Sequence, residues 1–399
     1  MEKLTATFRI VTPMFIGGAD QSPSDGIRPP SVKGALRFWW RALNWGKFIT
    51  DSKNNNEQQA LRALHIKEAE LFGSAINGKE GGQGCFLLSI EQPQNIQATQ
   101  PDWGNGNAGA KYLGYGLFEN NPRGALRENQ SFKVKLVFKG SIETTIKDAL
   151  VALGLLGGLG SRNRHGLGSI CLESIVTKDN KNSWMKKNNT AGYIQQIQDL
   201  LQNKLSAPNP APFTSFDNKT RVEKLCLANS DLTALNKLGE TLMMYRSAGR
   251  AGRVLGNHTE QNFKEDHDWK YRSQNKEKRW DDNNLPNNFH PKRVVFGLPH
   301  NYGGGNNSVK PESLNRRASP LFMHIHQINE NSFIAISIFF PTLFLPNGER
   351  ISAGGNMVAN NINYSVITDF LDGKGGGNGS ILNPPRFPNR EEICRGSEA

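Results

Sequence analysis

The glycine-rich segment GGLGSRNRHGLGS, residues 157–169, constrains the fold most strongly because it separates two segments of different periodicity. Residues 143–156 have the apolar spacing of a helix, and residues 170–176 have that of a strand. This order is the reverse of the strand-turn-helix order of dinucleotide-binding glycine motifs. Glycines allow positive φ angles and lack the Cβ that would hold a ligand away, so the loop can approach a polyanion closely. The alternative is an ordinary tight connection with solvated arginines.

The apolar patterns around this loop follow a β-α-β-β-α-β order. This is the ferredoxin-like arrangement, which many RNA-binding domains share. We therefore predict an α+β fold in which residues 1–177 form a first domain, with a glycine- and asparagine-rich insertion at about 91–131. Ser31 is the predicted N-cap of the first helix. Strand patterns cover residues 4–10, 85–90, 132–138 and 170–176, and helical patterns cover residues 31–45 and 143–156.

The second half of the chain is predicted to form an embellished α+β domain over residues 191–399. The Lys- and Asn-rich stretch 177–190 has too little apolar content to pack and is the expected boundary between the domains. A polar insertion at about 256–290 is expected to be a mobile excursion. The glycine-rich stretch 373–380 is either disordered or a degenerate second glycine loop, and the sequence leaves both open. Helical patterns cover residues 194–205 and 232–245, and hairpin strands cover residues 321–325 and 334–338.

The charge balance indicates an anionic partner. The 399 residues include 48 Lys and Arg against 36 Asp and Glu, a formal net charge of +12, which is typical of nucleic-acid binding. The four cysteines form no C-x-x-C pair, so we expect no disulfide framework, metal site or cofactor and a reducing, cytoplasmic setting. Because no apolar run is long enough to cross a bilayer, we expect neither secretion nor a membrane partner.

A second basic element is the helix predicted at residues 31–45. Lys33, Arg37 and Arg41 are spaced at i, i+4 and i+8 and form one stripe beside an apolar face that contains Trp39. Arg28 precedes the helix start, where backbone N–H groups favour an anion. The alternative is a solvated charged face on an amphipathic helix.

Two further groups of residues stand out in the second half. Arg246, Arg250 and Arg253 form a basic cluster after a helical pattern and are candidates to contact RNA or another subunit. His324 and His326 share one face of a predicted strand, but no third ligand adjoins them. We therefore interpret this histidine pair as structural.

Five motifs together resemble the family formed by the first subunit of the type III-B CRISPR effector, the Cmr complex, within the RAMP (repeat-associated mysterious protein) superfamily. The resemblance extends over most of the chain. The motifs are TPMFIGGADQ at 12–21, RPPSVKGALRFWWRAL at 28–43, KYLGYG at 111–116, GGLGSRNRHGLGS at 157–169 and RRASPLFMHIH at 316–326.

This resemblance implies ferredoxin-like, RRM-related domains in both halves of the chain. It also implies a non-catalytic RNA-binding subunit that caps the effector filament near the 3′ end of the CRISPR RNA and contacts target RNA in antiviral defence. The implied partners are CRISPR RNA, target RNA and the other Cmr subunits. The implied RNA contacts are Lys33, Arg37 and Arg41 on the helix and Arg162, Arg164 and His165 in the glycine loop.

The main rival hypothesis is a metal-independent endoribonuclease that processes CRISPR RNA, as related RAMP proteins do with a histidine near the glycine loop. With an ordinary pKa near ~6.5, His165 would suit a general base. The reaction also needs an acid for the leaving oxygen, which only His300 or Tyr112 could supply through folding. We therefore expect no enzymatic activity. A purely protein-binding scaffold is a third possibility, but it leaves the basic stripe unexplained.

Overall fold

The computed structural model describes the chain in two α+β halves that pack against each other. Its helices are α1 (Pro29–Asp51), α2 (Glu57–Phe72), α3 (Ala108–Leu113), α4 (Glu143–Leu156), α5 (Thr190–Leu201), α6 (Asp231–Arg246) and α7 (Ser365–Asp372). The residues described are all except 76–81, 105, 120–121, 141–142, 180, 209, 250, 267–289, 302–307, 354–355, 377–378 and 399.

The first sheet has the strand order β2-β5-β1-β6-β7, with every neighbouring pair antiparallel. Leu4, Ala6, Phe8 and Ile10 alternate inward on β1, as the period of two predicts. Together with the crossover helices α1 and α4, this order is ferredoxin-like and confirms the predicted arrangement. Its strands are β1 (Glu2–Ile10), β2 (Phe86–Glu91), β5 (Ser131–Phe138), β6 (Ile170–Thr177) and β7 (Asn182–Met185).

Helix α1 begins earlier than the sequence pattern predicts. The N-cap is Arg28 and no side chain caps the helix, so the prediction of Ser31 as N-cap is wrong. Pro29 and Pro30 occupy the first two helical positions, where a missing N–H is tolerated and the fixed φ suits a helix.

The second sheet repeats the same topology in the order β13-β14-β8-β19, with helices α6 and α7 in the crossover connections. Both halves are therefore ferredoxin-like, as the family resemblance implies. The stretch 373–380 lies between α7 and β19, the position that the glycine loop takes between α4 and β6. The strands are β8 (Arg221–Ala228), β13 (Leu321–Asn329), β14 (Ser332–Phe339) and β19 (Glu391–Arg395).

Strands β13 and β14 of the second sheet are buried on both faces because the first domain covers one of them. On β13, Phe322 and Ile328 join the core that contains α1 and α4, whereas Met323 and Ile325 join a second core with α3 and α6. The two halves thus share a continuous apolar interface.

The stretch 177–190 contains a strand that the sequence did not predict, although none of its described residues is buried. Strand β7 within it pairs with β6 and extends the first sheet by one strand. Tyr193 of α5 is fully buried, and its hydroxyl donates to the Leu155 carbonyl at 2.7 Å. Backbone pairing along one edge stabilises this polar strand with little apolar burial.

The insertion at 91–131 places α3 across α6 of the second half. A Cβ on Gly239 would lie 1.8 Å from the carbonyl oxygen of Gly109, so these two glycines allow a very close crossing. Most of the predicted polar excursion lies outside the described residues, but Phe263 and Asp266 at its start are buried. The remaining short strands are β3 (Ala98–Thr99), β4 (Ala125–Leu126), β9 (Arg253–Val254), β10 (Asn257–His258), β11 (His300–Asn301), β12 (Ser308–Pro311), β15 (Ile351–Ala353), β16 (Asn356–Val358), β17 (Lys374–Gly375) and β18 (Ser380–Ile381).

Candidate nucleic-acid interface

The glycines of the 157–169 loop pack against protein backbone and side chains. A Cβ on Gly168 would lie 2.0 Å from the Leu159 carbonyl oxygen, and one on Gly160 would lie 2.6 Å from that of Phe15. Both glycines have positive φ, at 62° and 86°. The expectation that the missing Cβ atoms admit a ligand is therefore wrong at these positions, where they admit the protein's own chain. What the loop presents outward is its tip, residues 160–163, in which Gly160 and Arg162 are exposed.

Arg162 lies exposed at this tip in a strained backbone conformation. Its φ is +60°, a region that costs a non-glycine residue about 1–2 kcal/mol. Its Nη2 donates to the Tyr115 carbonyl at 2.6 Å, which fixes the side chain at the surface. The pKa of the Arg162 guanidinium is lowered, first by desolvation and then by the charge of Arg316. Strain and mutual repulsion persist here because the packed loop beneath holds the geometry.

Arg164 points into the interface between the two halves. Its Nη1 donates to the Ser319 carbonyl at 2.9 Å, and its guanidinium lies 4.4 Å from the centroid of the Phe322 ring. The Arg164 carbonyl accepts from the backbone N–H of Met323 at 2.8 Å. Burial lowers the pKa of Arg164 to about 10. These contacts make Arg164 a bridge between domains and argue against the predicted RNA contact.

His165 is also directed into the protein. Its Nδ1 lies 3.0 Å from the Leu113 carbonyl oxygen, so this nitrogen carries the proton in the neutral ring. Burial, then the charges of Arg162 and Arg246, lower its pKa to about 4. The premise of an ordinary pKa near 6.5 is therefore wrong, and His165 is a neutral and weak base at pH 7.

Three arginines from separate parts of the chain gather around the loop tip. Arg246 ends α6, lies 4.8 Å from the Phe296 ring centroid and contacts His300 Nε2 at 3.3 Å. Arg316 is exposed just before β13. The charges of Arg246 and Arg316 both lower the pKa of Arg162, so the three side chains interact electrostatically. We call these three arginines the cationic cluster. Among the described residues, none of the three has a carboxylate within ion-pair distance.

The basic residues of the stripe on α1 are in contrast held by contacts within the first domain. Arg37 and Arg41 both pair with Glu68 of α2 at 3.3 Å, and Arg37 Nη2 also donates to the Gly73 carbonyl at 2.7 Å. Lys33 lies 5.7 Å from the Phe86 ring centroid. The stripe therefore attaches α1 to α2 and β2, whereas the alternative interpretation assumed a solvated charged face.

The other predicted basic contacts are dispersed. Arg28 Nη2 donates to the Gly17 carbonyl at 2.9 Å, which ties the chain before α1 to the motif after β1. Arg253 lies on the β9–β10 hairpin and donates to the Gly256 carbonyl at 2.8 Å. Arg250 lies outside the described residues. Of the predicted basic residues, the structure brings Arg162 and Arg246 together.

His324 and His326 lie on the face of β13 that packs against the first domain. The His326 ring stacks on Tyr193 with centroids 4.0 Å apart, and its Nε2 lies 3.3 Å from Cys171 Sγ. Burial lowers the pKa of His324 to about 3. The structural interpretation is consistent with these contacts, and the described residues contain no group of three potential metal ligands.

Tyr115 and Arg316 join the site although sequence reasoning did not select them. Tyr115 is 65% exposed, and its carbonyl accepts from Arg162. The sequence could have indicated both residues, because they fall within two motifs of the family resemblance, KYLGYG and RRASPLFMHIH. Both are far from the glycine loop along the chain, and only the folded topology joins them.

Comparison with known proteins agrees with this fold and loop. Residues 7–171 match the family model of the RAMP superfamily. This part of the chain, which includes the glycine loop, is therefore similar to the RAMP superfamily. Among curated proteins the chain is similar to a Cmr subunit: Cmr1-2 of Pyrococcus furiosus is 28% identical over 183 residues, which make up 41% of this chain and 92% of that protein.

Solved structures extend the similarity of fold to nearly the whole chain. The crystal structure of apo Cmr1 from Pyrococcus furiosus matches with a TM-score of 0.55 at 17% identity, covering 99% of this chain and 100% of that one. A chain of the type III-B Cmr-beta complex, solved bound to cognate target RNA, matches with a TM-score of 0.50 at 11% identity over 92% of this chain and 98% of that one. The predicted family resemblance is confirmed. Within the described part of the chain, no helix is long and apolar enough to cross a membrane.

Proposed function

We propose that this chain is a non-catalytic RNA-binding subunit of a type III-B Cmr effector and that the cationic cluster is its RNA contact. The observation that carries the proposal is the convergence of Arg162, Arg246 and Arg316 without a neutralising carboxylate among the described residues. Gathering like charges is unfavourable, and phosphates relieve that repulsion while releasing counterions. The related Cmr-beta complex is bound to target RNA, which supports the same ligand here.

The partners of this proposal are the CRISPR RNA, its target RNA and the other Cmr subunits. The capping position near the 3′ end of the CRISPR RNA rests on the family resemblance alone. It predicts that a photoreactive nucleotide crosslinks to this chain most strongly from the 3′ end of the CRISPR RNA. Strongest crosslinking from the 5′ end would refute that position.

The geometry of His165 supports the absence of catalysis. A general base should have a pKa near the working pH, but the pKa of this ring is about 4 and its Nδ1–H is used by Leu113. His300, the candidate acid, also has its pKa lowered well below the usual value by burial and then by Arg246. Neither imidazole is protonated at pH 7, so neither can protonate a leaving oxygen.

The decisive experiment measures RNA affinity for the complex containing wild-type chain, Arg316→Glu or the control Arg62→Glu. Arg62 is an exposed arginine on α2. We expect Arg316→Glu to weaken binding and to reduce the salt dependence by about 0.7 per lost phosphate contact, with no effect of Arg62→Glu. Equal effects of the two variants would refute the cluster as the RNA contact. RNA cleavage by the wild-type chain that His165→Ala abolishes would refute the non-catalytic role.

A further inference from the structure

Tyr115 is an aromatic side chain left on the surface beside the cationic cluster. It is 65% exposed, and among the exposed large hydrophobic residues in the described ranges it is the one aromatic. The neighbouring Tyr112 differs, because its ring packs on the second core and under the guanidinium of Arg246, 5.9 Å from its centroid. The KYLGYG motif therefore directs one tyrosine inward and the other to solvent.

The backbone around Tyr115 is held rigidly although its ring is free. Its N–H donates to the Tyr112 carbonyl at 3.3 Å, and its carbonyl accepts from Arg162 at 2.6 Å. A Cβ on Gly114 would lie 2.4 Å from the Phe118 ring, so the turn is closely packed from below. Rigid attachment lowers the entropy lost when the ring binds a planar partner.

We propose that Tyr115 is a base-stacking residue, which stacks on one nucleobase of single-stranded RNA while Arg162 contacts an adjoining phosphate. Aromatic rings stack on any base, and single-strand binding sites combine such rings with cations that follow the backbone. Arg162 and Tyr115 present these two chemistries from adjacent positions that a hydrogen bond links. This inference rests on the proposed RNA-binding function and adds the nucleobase as the group recognised.

Exposed aliphatic residues elsewhere lack this combination. Leu87 is 60% exposed on β2, where the neighbouring strand residues form salt bridges between Glu91 and two lysines. An aliphatic side chain offers no π face for a base. Leu87 is therefore a suitable control for a general effect of removing exposed apolar surface.

The test uses the complex assembled with its CRISPR RNA and variants Tyr115→Ala, Tyr115→Phe and Leu87→Ala. We expect Tyr115→Ala to weaken the affinity for single-stranded RNA by about 5- to 100-fold, the range for loss of one stacked base, and the other two to bind like wild type. The salt dependence should be unchanged in Tyr115→Ala but reduced by about 0.7 in Arg162→Gln, because only the second loses a phosphate contact. A 2-aminopurine placed along the RNA should be quenched at one position in wild type and Tyr115→Phe and unquenched in Tyr115→Ala.

The possible results distinguish the stacking role of Tyr115 from the proposed RNA-binding function. Unchanged affinity and quenching in Tyr115→Ala, with weakened binding in Arg316→Glu, would overturn the stacking role and leave the RNA contact intact. Unchanged binding in both would overturn the two together. Weakened binding in Tyr115→Phe as well as in Tyr115→Ala would assign the effect to the hydroxyl and would also overturn stacking.

Discussion

Arg162 and Arg164 lie two residues apart in one loop, and the structure predicts opposite consequences for their replacement by methionine. Met keeps most of the hydrocarbon stem and removes the charge. Arg164→Met loses a charged hydrogen bond to Ser319, worth about 1.5–3 kcal/mol, and a buried cation–π contact with Phe322, worth about 2 kcal/mol. Arg162→Met loses a hydrogen bond at the surface, where changes typically stay within about 0.5 kcal/mol.

Two further effects of Arg164→Met oppose each other. Burial lowers the Arg164 pKa to about 10, so removing the buried charge returns about 3 kcal/mol. However, the carbonyl of Ser319, a buried residue, then lacks its donor at a cost of about 1–3 kcal/mol. Together these terms leave a net loss of about 1.5–5 kcal/mol in the free energy of unfolding.

The assay combines urea unfolding with RNA affinity measured at several salt concentrations. Arg164→Met should lower stability by about 1.5–5 kcal/mol and leave the salt dependence of RNA binding unchanged. Arg162→Met should keep the stability and reduce the salt dependence by about 0.7, the value for one phosphate on a single strand. If Arg164→Met instead reduces the salt dependence at unchanged stability, the assignment of Arg164 to the domain interface is refuted.

Three other expectations follow from the same packing. Gly168→Ala should lower the free energy of unfolding, measured by thermal unfolding, by at least about 3 kcal/mol, because its Cβ would lie 2.0 Å from a carbonyl oxygen at a φ of +62°. The control Gly104→Ala, with a φ of +57° but open space around it, should cost about 1 kcal/mol. Similar costs for the two variants would contradict the close packing of Gly168. A double-mutant cycle of Arg37→Gln and Glu68→Gln should give a coupling energy of about 0.5–1 kcal/mol. Additive effects would show that the stripe on α1 does not interact with α2. The free energy of unfolding in urea should decrease as the pH falls from about 6.5 toward 4, by up to about 1.4 kcal/mol per pH unit for each buried histidine. The reason is that the unfolded chain binds protons that the folded chain excludes. Constant stability from pH 7 to 5 would refute this expectation. The histidines whose pKa is lowered by burial are His165, His300, His324 and His326.

The elements predicted correctly are those whose apolar period is regular. Helix α4 has the predicted bounds, 143–156, because its apolar residues recur at helical spacing over the whole segment. Strand β8 was not predicted. Its inward residues Arg221 and Glu223 are charged and buried, and they pair with each other, so the sequence shows no apolar alternation.

The sequence predicted that the candidate site is basic, but it did not predict which residues form it. Charge and glycine content pointed to the 157–169 loop, and its outermost residue, Arg162, lies in the cationic cluster. Sequence spacing could not show that Arg164 points inward, because that direction depends on Phe322 in the other half of the chain. Nor could it show that Glu68, on a helix that the pattern missed, pairs with both Arg37 and Arg41 on α1.

The proposed RNA contact exists only while the two halves stay docked. Arg162 comes from the first domain, whereas Arg246 and Arg316 come from the second, so their shared field depends on the relative position of the domains. Arg164 fixes that position at the loop itself by bonding to Ser319 across the interface. The glycines beneath let the loop pack closely enough for this bond to form. In the proposed function, the glycine loop therefore contributes to RNA binding chiefly by aligning cations from two domains, and its backbone need not contact the phosphates.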